Sequence, residues 1–136
     1  MFSHSETIRV RYGETDQMGY VYYGNYALYY EVGRVELIRK LGVSYNDLEN
    51  QGIALPVVAM EIKYLKPAKY DDLITVNASI LEIPTSKITF HYECTNQDGI
   101  LLNTGKVTLV FTDITTRKPI RCPQKFELLL RSQFNE

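Results

Sequence analysis

Apolar residues along this chain recur at two spacings, every second position or close to every 3.6, and the changes between them mark the elements. Alternation around Ile8 and Val10 predicts a short strand from Thr7 to Tyr12. A loop follows from Gly13 to Gly24, punctuated by Gly13, Gly19 and Gly24. From Asn25 to Leu41 the spacing becomes helical, with Gly42 as the stop signal. The first half of that helix, from Tyr26 to Tyr30, is apolar nearly all round, which predicts enclosure by other elements. Glu36, Arg39 and Lys40 return its second half to water. Ser44, with Asp47 three residues on, predicts a capped short helix ending at Asn50.

Strands then follow one another. Ile53 to Leu65 is long and contains Pro56, which predicts a bulge or an edge near its start. Leu73 to Ile83 sets Ile74, Val76, Ala78 and Ile80 on one face against Thr75, Asn77 and Ser79 on the other. Lys87 to Thr95 repeats the pattern with Ile88, Phe90, Tyr92 and Cys94 against Thr89, His91 and Glu93. Asn96-Gln-Asp-Gly99 is a turn signal leading into Ile100–Asp113. Pro123 opens a terminal helix to Ser132. The predicted class is α+β, an antiparallel sheet of about five strands wrapped around one long buried helix.

Composition narrows the function classes. At 136 residues the chain reads as a single domain, 1–136, able to bury about two-thirds of its unfolded surface without disulfides or a structural metal. Fifteen basic residues against 16 acidic ones, net -1, argue against a nucleic-acid binder. Cys94 and Cys122 lack metal-site spacing, and Cys94 fits a small apolar strand position. MFSHSETIRV lacks the apolar run of a signal peptide, and no stretch reaches the ~20 apolar residues of a membrane span. The expected location is the cytoplasm.

Candidate chemistry concentrates between Arg11 and Arg34. Asp16 sits in the glycine-bearing loop ahead of the long helix, close to a helix end whose free N–H groups and dipole favour an oxyanion. Its competing reading is a cap on the turn before the helix. Glu31 reads as a partner of Arg34 at i,i+3, and Glu14 as a solvated loop residue. His4 and His91 have no ligand-spaced partners, so both read as solvated and no metal site is expected. No G-x-S-x-G elbow and no G-x-G-x-x-G fingerprint is present, which sets aside serine-hydrolase and dinucleotide readings.

Asp16, Gly19, Val21, Tyr22, Tyr23, Asn25 and Tyr26 together resemble the signature of hotdog-fold thioesterases of the 4-hydroxybenzoyl-CoA thioesterase type. The stretch from Tyr64 to Asp72 is a second point of similarity, and the element order agrees along nearly the whole chain. The resemblance implies a hotdog fold whose subunits pair into at least a dimer, often a tetramer, with active sites at the interface. It implies hydrolysis of an acyl-CoA thioester to free acid and coenzyme A, with no cofactor beyond the substrate. Asp16 would be the catalytic carboxylate, with backbone N–H groups around Tyr23 and Gly24 polarising the carbonyl. Gly19, Val21, Tyr22 and Asn25 would surround the substrate. Tyr23 stands where many acyl-CoA members carry His, and Gly24 where some carry Pro.

The chemistry needs no histidine. A free Asp, pKa about 3.9, is ionised at neutral pH and is a poor general base, but an ionised carboxylate is a ready nucleophile. A thiol of pKa near ~8.5 leaves as thiolate without a strong acid. Asp16 would attack directly or orient a water, and the residues alone leave both routes open. Coenzyme A phosphates need cations, for which Lys66 and Lys87, with Lys63, Arg117 and Lys118, are candidates. Competing functions are an acyl-carrier-protein thioesterase, an acyl-thioester binder without turnover, and a dehydratase.

Overall fold

The computed structural model describes residues 1–134. Its elements, in chain order, are β1 (Phe2–Arg9), α1 (Tyr26–Leu41), α2 (Tyr45–Asn50), β2 (Ile53–Ala54), β3 (Val57–Tyr64), β4 (Leu73–Ile80), β5 (Lys87–Thr95), β6 (Leu101–Val110), β7 (Thr112–Asp113) and α3 (Gln124–Phe134). Five strands form one antiparallel sheet in the order β1-β4-β5-β6-β3, and β2 pairs separately with β7. The long helix α1 crosses the inner face of β1 and β4. This is the α+β hotdog arrangement that the resemblance implies.

The period-two strands behave as expected. Ile74, Val76, Ala78 and Ile80 of β4 and Ile88, Phe90, Tyr92 and Cys94 of β5 are buried beneath the helices. Their neighbours Thr75, Asn77, Thr89, His91 and Glu93 face out. Gly42 ends α1 in the left-handed conformation at φ 104°, and Ser44 and Asp47 cap α2 reciprocally.

Other boundaries move, each for a local reason. β1 begins at Phe2 and ends at Arg9, because its register on β4 runs from Phe2↔Ile80 to Arg9↔Leu73. His4 and Glu6 occupy inner-face positions at this edge and bond to each other at 2.7 Å, which masks the alternation. His4 is thus half-buried in a strand and not solvated. The stretch expected as Ile53–Leu65 splits at Pro56 into β2 and β3, with a register shift between Val57 and Ala59. The next long strand divides into β6 and β7.

Helix α1 is not enclosed on every side. Tyr26, Tyr29, Tyr30, Gly33, Leu37 and Ile38 are buried, while Leu28, Glu31 and Val32 face outward. Arg34 does not pair with Glu31. It turns inward, 7% exposed, and donates from Nε to the Tyr45 hydroxyl at 3.1 Å.

Two glycines set how closely α1 meets the sheet. A Cβ on Gly33 would lie 2.9 Å from Val76 Cγ1, and one on Gly105 would lie 2.7 Å from both the Glu61 carbonyl oxygen and the Tyr30 ring. With that room Tyr30 stacks on Tyr92, centroids 4.1 Å apart, and its hydroxyl donates to Asn103 Oδ1 at 2.6 Å. The fully buried Asn103 leaves its Nδ2 without a partner among the described residues.

Gly105→Ala should cost about 1–3 kcal/mol in denaturant unfolding, the usual penalty of overpacking. Gly13→Ala, with nothing within 4 Å of the added carbon, should stay within about 0.5 kcal/mol. Burial pushes the Cys94 and Cys122 thiols up to about 12, so both remain neutral through pH 9. Neither should react with a thiol reagent in the folded protein, and both should react after unfolding in guanidinium.

Candidate active site

The loop between β1 and α1 is held by hydrogen bonds within itself and to the β3–β4 connection. Val10 exchanges bonds with the β3–β4 connection, donating to the Asp72 carbonyl at 2.9 Å and accepting from the Asp71 N–H at 3.1 Å. Tyr12–Glu14 form a single 3-10 turn, closed where the Thr15 hydroxyl donates to the Tyr12 carbonyl at 2.7 Å. Beyond it the chain folds back on itself. The Asp16 N–H donates to the Tyr20 carbonyl at 2.7 Å and the Gly19 N–H to the Asp16 carbonyl at 3.0 Å. Gly19 takes φ +81°, a conformation that costs a side-chain-bearing residue.

Asp16 caps this turn through one oxygen. Oδ1 accepts the N–H groups of Met18 at 2.9 Å and Tyr20 at 3.2 Å. No donor among the described residues reaches Oδ2. The cap thus uses one oxygen of the carboxylate and leaves the other without a protein donor among the described residues.

The two stretches that carry the resemblance meet in space. Tyr20 bridges to Lys69, and the Val21 N–H donates to the Ala68 carbonyl at 2.9 Å. Val21 itself is buried, so its side chain serves the core. Tyr22 passes the chain to the helix: its N–H donates to the Glu14 carbonyl at 2.9 Å, and Tyr23–Asn25 form a 3-10 turn running into α1. Within that turn Asn25 donates to the Tyr22 carbonyl and Tyr26 to the Tyr23 carbonyl. The N–H groups of Tyr23 and Gly24 find no protein acceptor among the described residues, as expected of the first donors of a helical segment.

Side chains around this turn are aromatic. The Tyr22 and Tyr23 rings lie 4.7 Å apart, Tyr23 is 64% exposed, and the Tyr64 hydroxyl donates to the Tyr23 carbonyl at 3.4 Å. A Cβ on Gly24 would fall 2.9 Å from the Tyr22 ring, so glycine here lets that ring lie against the backbone. Asn25 points back into the loop, donating from Nδ2 to the Glu14 carbonyl at 2.8 Å. Tyr26 is buried, with its phenol pushed up to about 12 by desolvation.

The remaining candidates divide. Lys66 lies in the β3–β4 connection, which holds Val21, and its N–H donates to Leu102. Lys87 opens β5 at the end of the sheet away from that connection, so within one chain it is not brought to Asp16. Glu14 is not a solvated residue. Its carboxylate accepts from the Tyr29 hydroxyl and from three groups of Arg11. Burial alone would raise its pKa, but these donors outweigh it and hold the carboxyl below the usual range. The sequence signal for this was present in Arg11 and Glu14 at i,i+3, but the partner Tyr29 is fifteen residues away.

A concavity of about 560 Å³ lies on the outer sheet face, lined by Glu61, Lys63, Asn77, His91 and Lys106. It is remote from Asp16. The half-buried Asp16 keeps one carboxylate oxygen without a donor, and the exposed Tyr23 and Gly24 at the helix start keep two N–H groups without an acceptor, among the described residues. Such donors can bind and polarise a carbonyl.

Comparison with known proteins identifies the family and the fold. Residues 10–130 match the family model described as the thioesterase-like superfamily. The Bacillus subtilis protein YneP is 37% identical over 126 residues, covering 93% of this chain and 91% of its own. The acyl-CoA thioester hydrolase YbgC of Escherichia coli is 31% identical over 117 residues, covering 86% of this chain and 87% of its own. Among solved structures, a DHNA-CoA thioesterase from Staphylococcus aureus superposes with a TM-score of 0.91 at 34% identity, covering 99% of this chain and 95% of its own. With sequence and fold in agreement over nearly its full length, the chain belongs to the thioesterase-like superfamily.

Proposed function

We propose that this protein hydrolyses acyl-CoA thioesters to a free acid and coenzyme A. The observation that supports this most is the pairing, on one exposed segment, of the unengaged Asp16 Oδ2 with the unsatisfied N–H groups of Tyr23 and Gly24. A thioester carbonyl set against those amides would develop its negative charge where fixed donors already point. Asp16 either attacks directly, forming a mixed anhydride as the C–S bond breaks, which water then hydrolyses to the free acid, or orients a water and takes its proton as that water attacks. On both routes the thiolate leaves without a general acid. Relatives named as acyl-CoA thioester hydrolase and DHNA-CoA thioesterase favour coenzyme A over a carrier protein as the thiol. Of the candidate cations, Lys66 belongs to the β3–β4 connection that also holds Val21.

We also infer that the working form is at least a dimer and in full a tetramer, with Lys87 available to a site only through another copy. Val57, Val58 and Met60 on the β3 edge, and separately Leu28 and Val32 on α1, are apolar side chains that one chain leaves exposed.

Thiol release from a panel of short, long and aromatic acyl-CoAs tests the activity. Asp16→Asn should fold normally and lose about 10²–10⁴ in kcat. Equal turnover in the two proteins would remove Asp16 from the reaction, and silence across the panel would point to a carrier-protein thioester or to binding alone. Light scattering should give at least twice the 15.7 kDa chain mass. Val58→Lys, at a position 54% exposed in the single chain, should shift the protein toward monomer and lower activity together.

A further inference from the structure

We infer that Glu14 is a positioning residue for the proposed reaction, fixing where the Asp16 loop stands relative to the amides that open α1. The inference rests on the thioesterase reading above. It comes from the way this one residue binds three separate parts of the site.

Its carbonyl oxygen accepts from the Tyr22 N–H at 2.9 Å and from Asn25 Nδ2 at 2.8 Å. Residues 14 and 22 are thereby the two tied ends of the segment that contains Asp16, and Tyr22 is the residue just before the unsatisfied Tyr23 and Gly24 amides. Its carboxylate reaches the other way. Oε1 accepts the Arg11 N–H at 2.8 Å and the Tyr29 hydroxyl at 2.9 Å, and Oε2 accepts Arg11 Nε at 3.1 Å and Nη2 at 2.9 Å.

Tyr29 is a fixed point. It is 2% exposed, one turn into α1, with its ring edge-on to Tyr26 at 5.7 Å. The hydroxyl of a residue so enclosed has little freedom, so the carboxylate bonded to it is located with respect to the helix body. By contrast, the side-chain bonds of Asp16 go to Met18 and Tyr20 inside the loop. They shape the loop without placing it against α1. The Val21–Ala68 bond places it against the β3–β4 connection, on the other side.

The same geometry excludes a direct chemical role for Glu14. Four donors on two oxygens occupy the directions from which a carboxylate could attack a carbonyl or take a proton. Glu14 therefore acts through the position of Asp16. Misplacement of a reacting group by about 1 Å costs on the order of 10²-fold in rate, which sets the scale of what releasing this tie should do.

The test compares Glu14→Gln, Tyr29→Phe and the double variant with the native protein, reading kcat and KM on the best acyl-CoA and amide hydrogen exchange across residues 15–24. Each single variant should lower kcat by about ten- to a hundredfold with KM changed less than about threefold, since substrate contacts remain. The double variant should be no slower than the worse single, because both remove one tie. Exchange across 15–24 should accelerate in each. Native kcat in both singles, or unchanged exchange, would overturn the inference. Tyr29→Phe keeps the Arg11 contacts and carries the test should Glu14→Gln not fold. If the native protein releases no thiol from any acyl-CoA, the thioesterase reading fails, and the exchange measurement alone still decides whether Glu14 places the loop.

Discussion

The close approach of α1 to the sheet governs the rest of this molecule. Gly33 against Val76 and Gly105 beneath Tyr30 remove two side chains from the contact, and the helix settles at the depth that the Tyr30–Tyr92 stack requires. Glycine inside a helix or strand costs about 0.5–1 kcal/mol relative to alanine, so the packing gained must exceed that on both elements. Depth and rotation of α1 then follow, and with them the direction of its first N–H groups. The buried Tyr30–Asn103 bond fixes the rotation further, since Asn103 already has one donor without a partner among the described residues and would lose its acceptor's partner if the helix turned.

The candidate site draws on that rigidity without being part of the core. Its carboxylate comes from a loop held by hydrogen bonds to backbone, and its donors come from the start of α1, so two unlike supports must be registered with each other. Val21 contributes apolar burial at one side of the loop, and Glu14 contributes hydrogen bonds at the other. The exposed tyrosines, Tyr22 and Tyr23, lie over the backbone between these supports. Polar ties suit such a place, because they hold the loop without apolar packing over the exposed start of the helix.

Much of the fold was legible because periodicity and caps report local structure. β4, β5, α1 and α2 follow from alternation, from Gly42 and from Ser44 with Asp47. The loop that carries Asp16 was legible from its glycines and from its place before a helix. What escaped depends on partners distant in sequence. Glu14 reads as solvated until Tyr29 is seen beside it, and Arg34 reads as a partner of Glu31 until Tyr45 is folded against it. β1 hid its first half because His4 and Glu6 satisfy each other on the inner face, so polarity no longer marks the outside. Lys87 shares a chemistry with Lys66 but lies at the opposite end of the sheet, a separation that only strand direction reveals.

The two edges of the sheet are unlike. The first half of β3 presents Val57, Val58 and Met60, with its charges Glu61 and Lys63 confined to the second half, whereas β1 spreads His4, Glu6 and Arg9 along its length. Charged residues along an edge discourage another strand from adding there. Growth by lateral pairing would therefore stop after one step: two copies joined through β3 would turn only guarded β1 strands outward. Such asymmetry separates a closed assembly from an open fibre. Substitutions that made β1 as apolar as the first half of β3 would threaten solubility long before they threatened the fold.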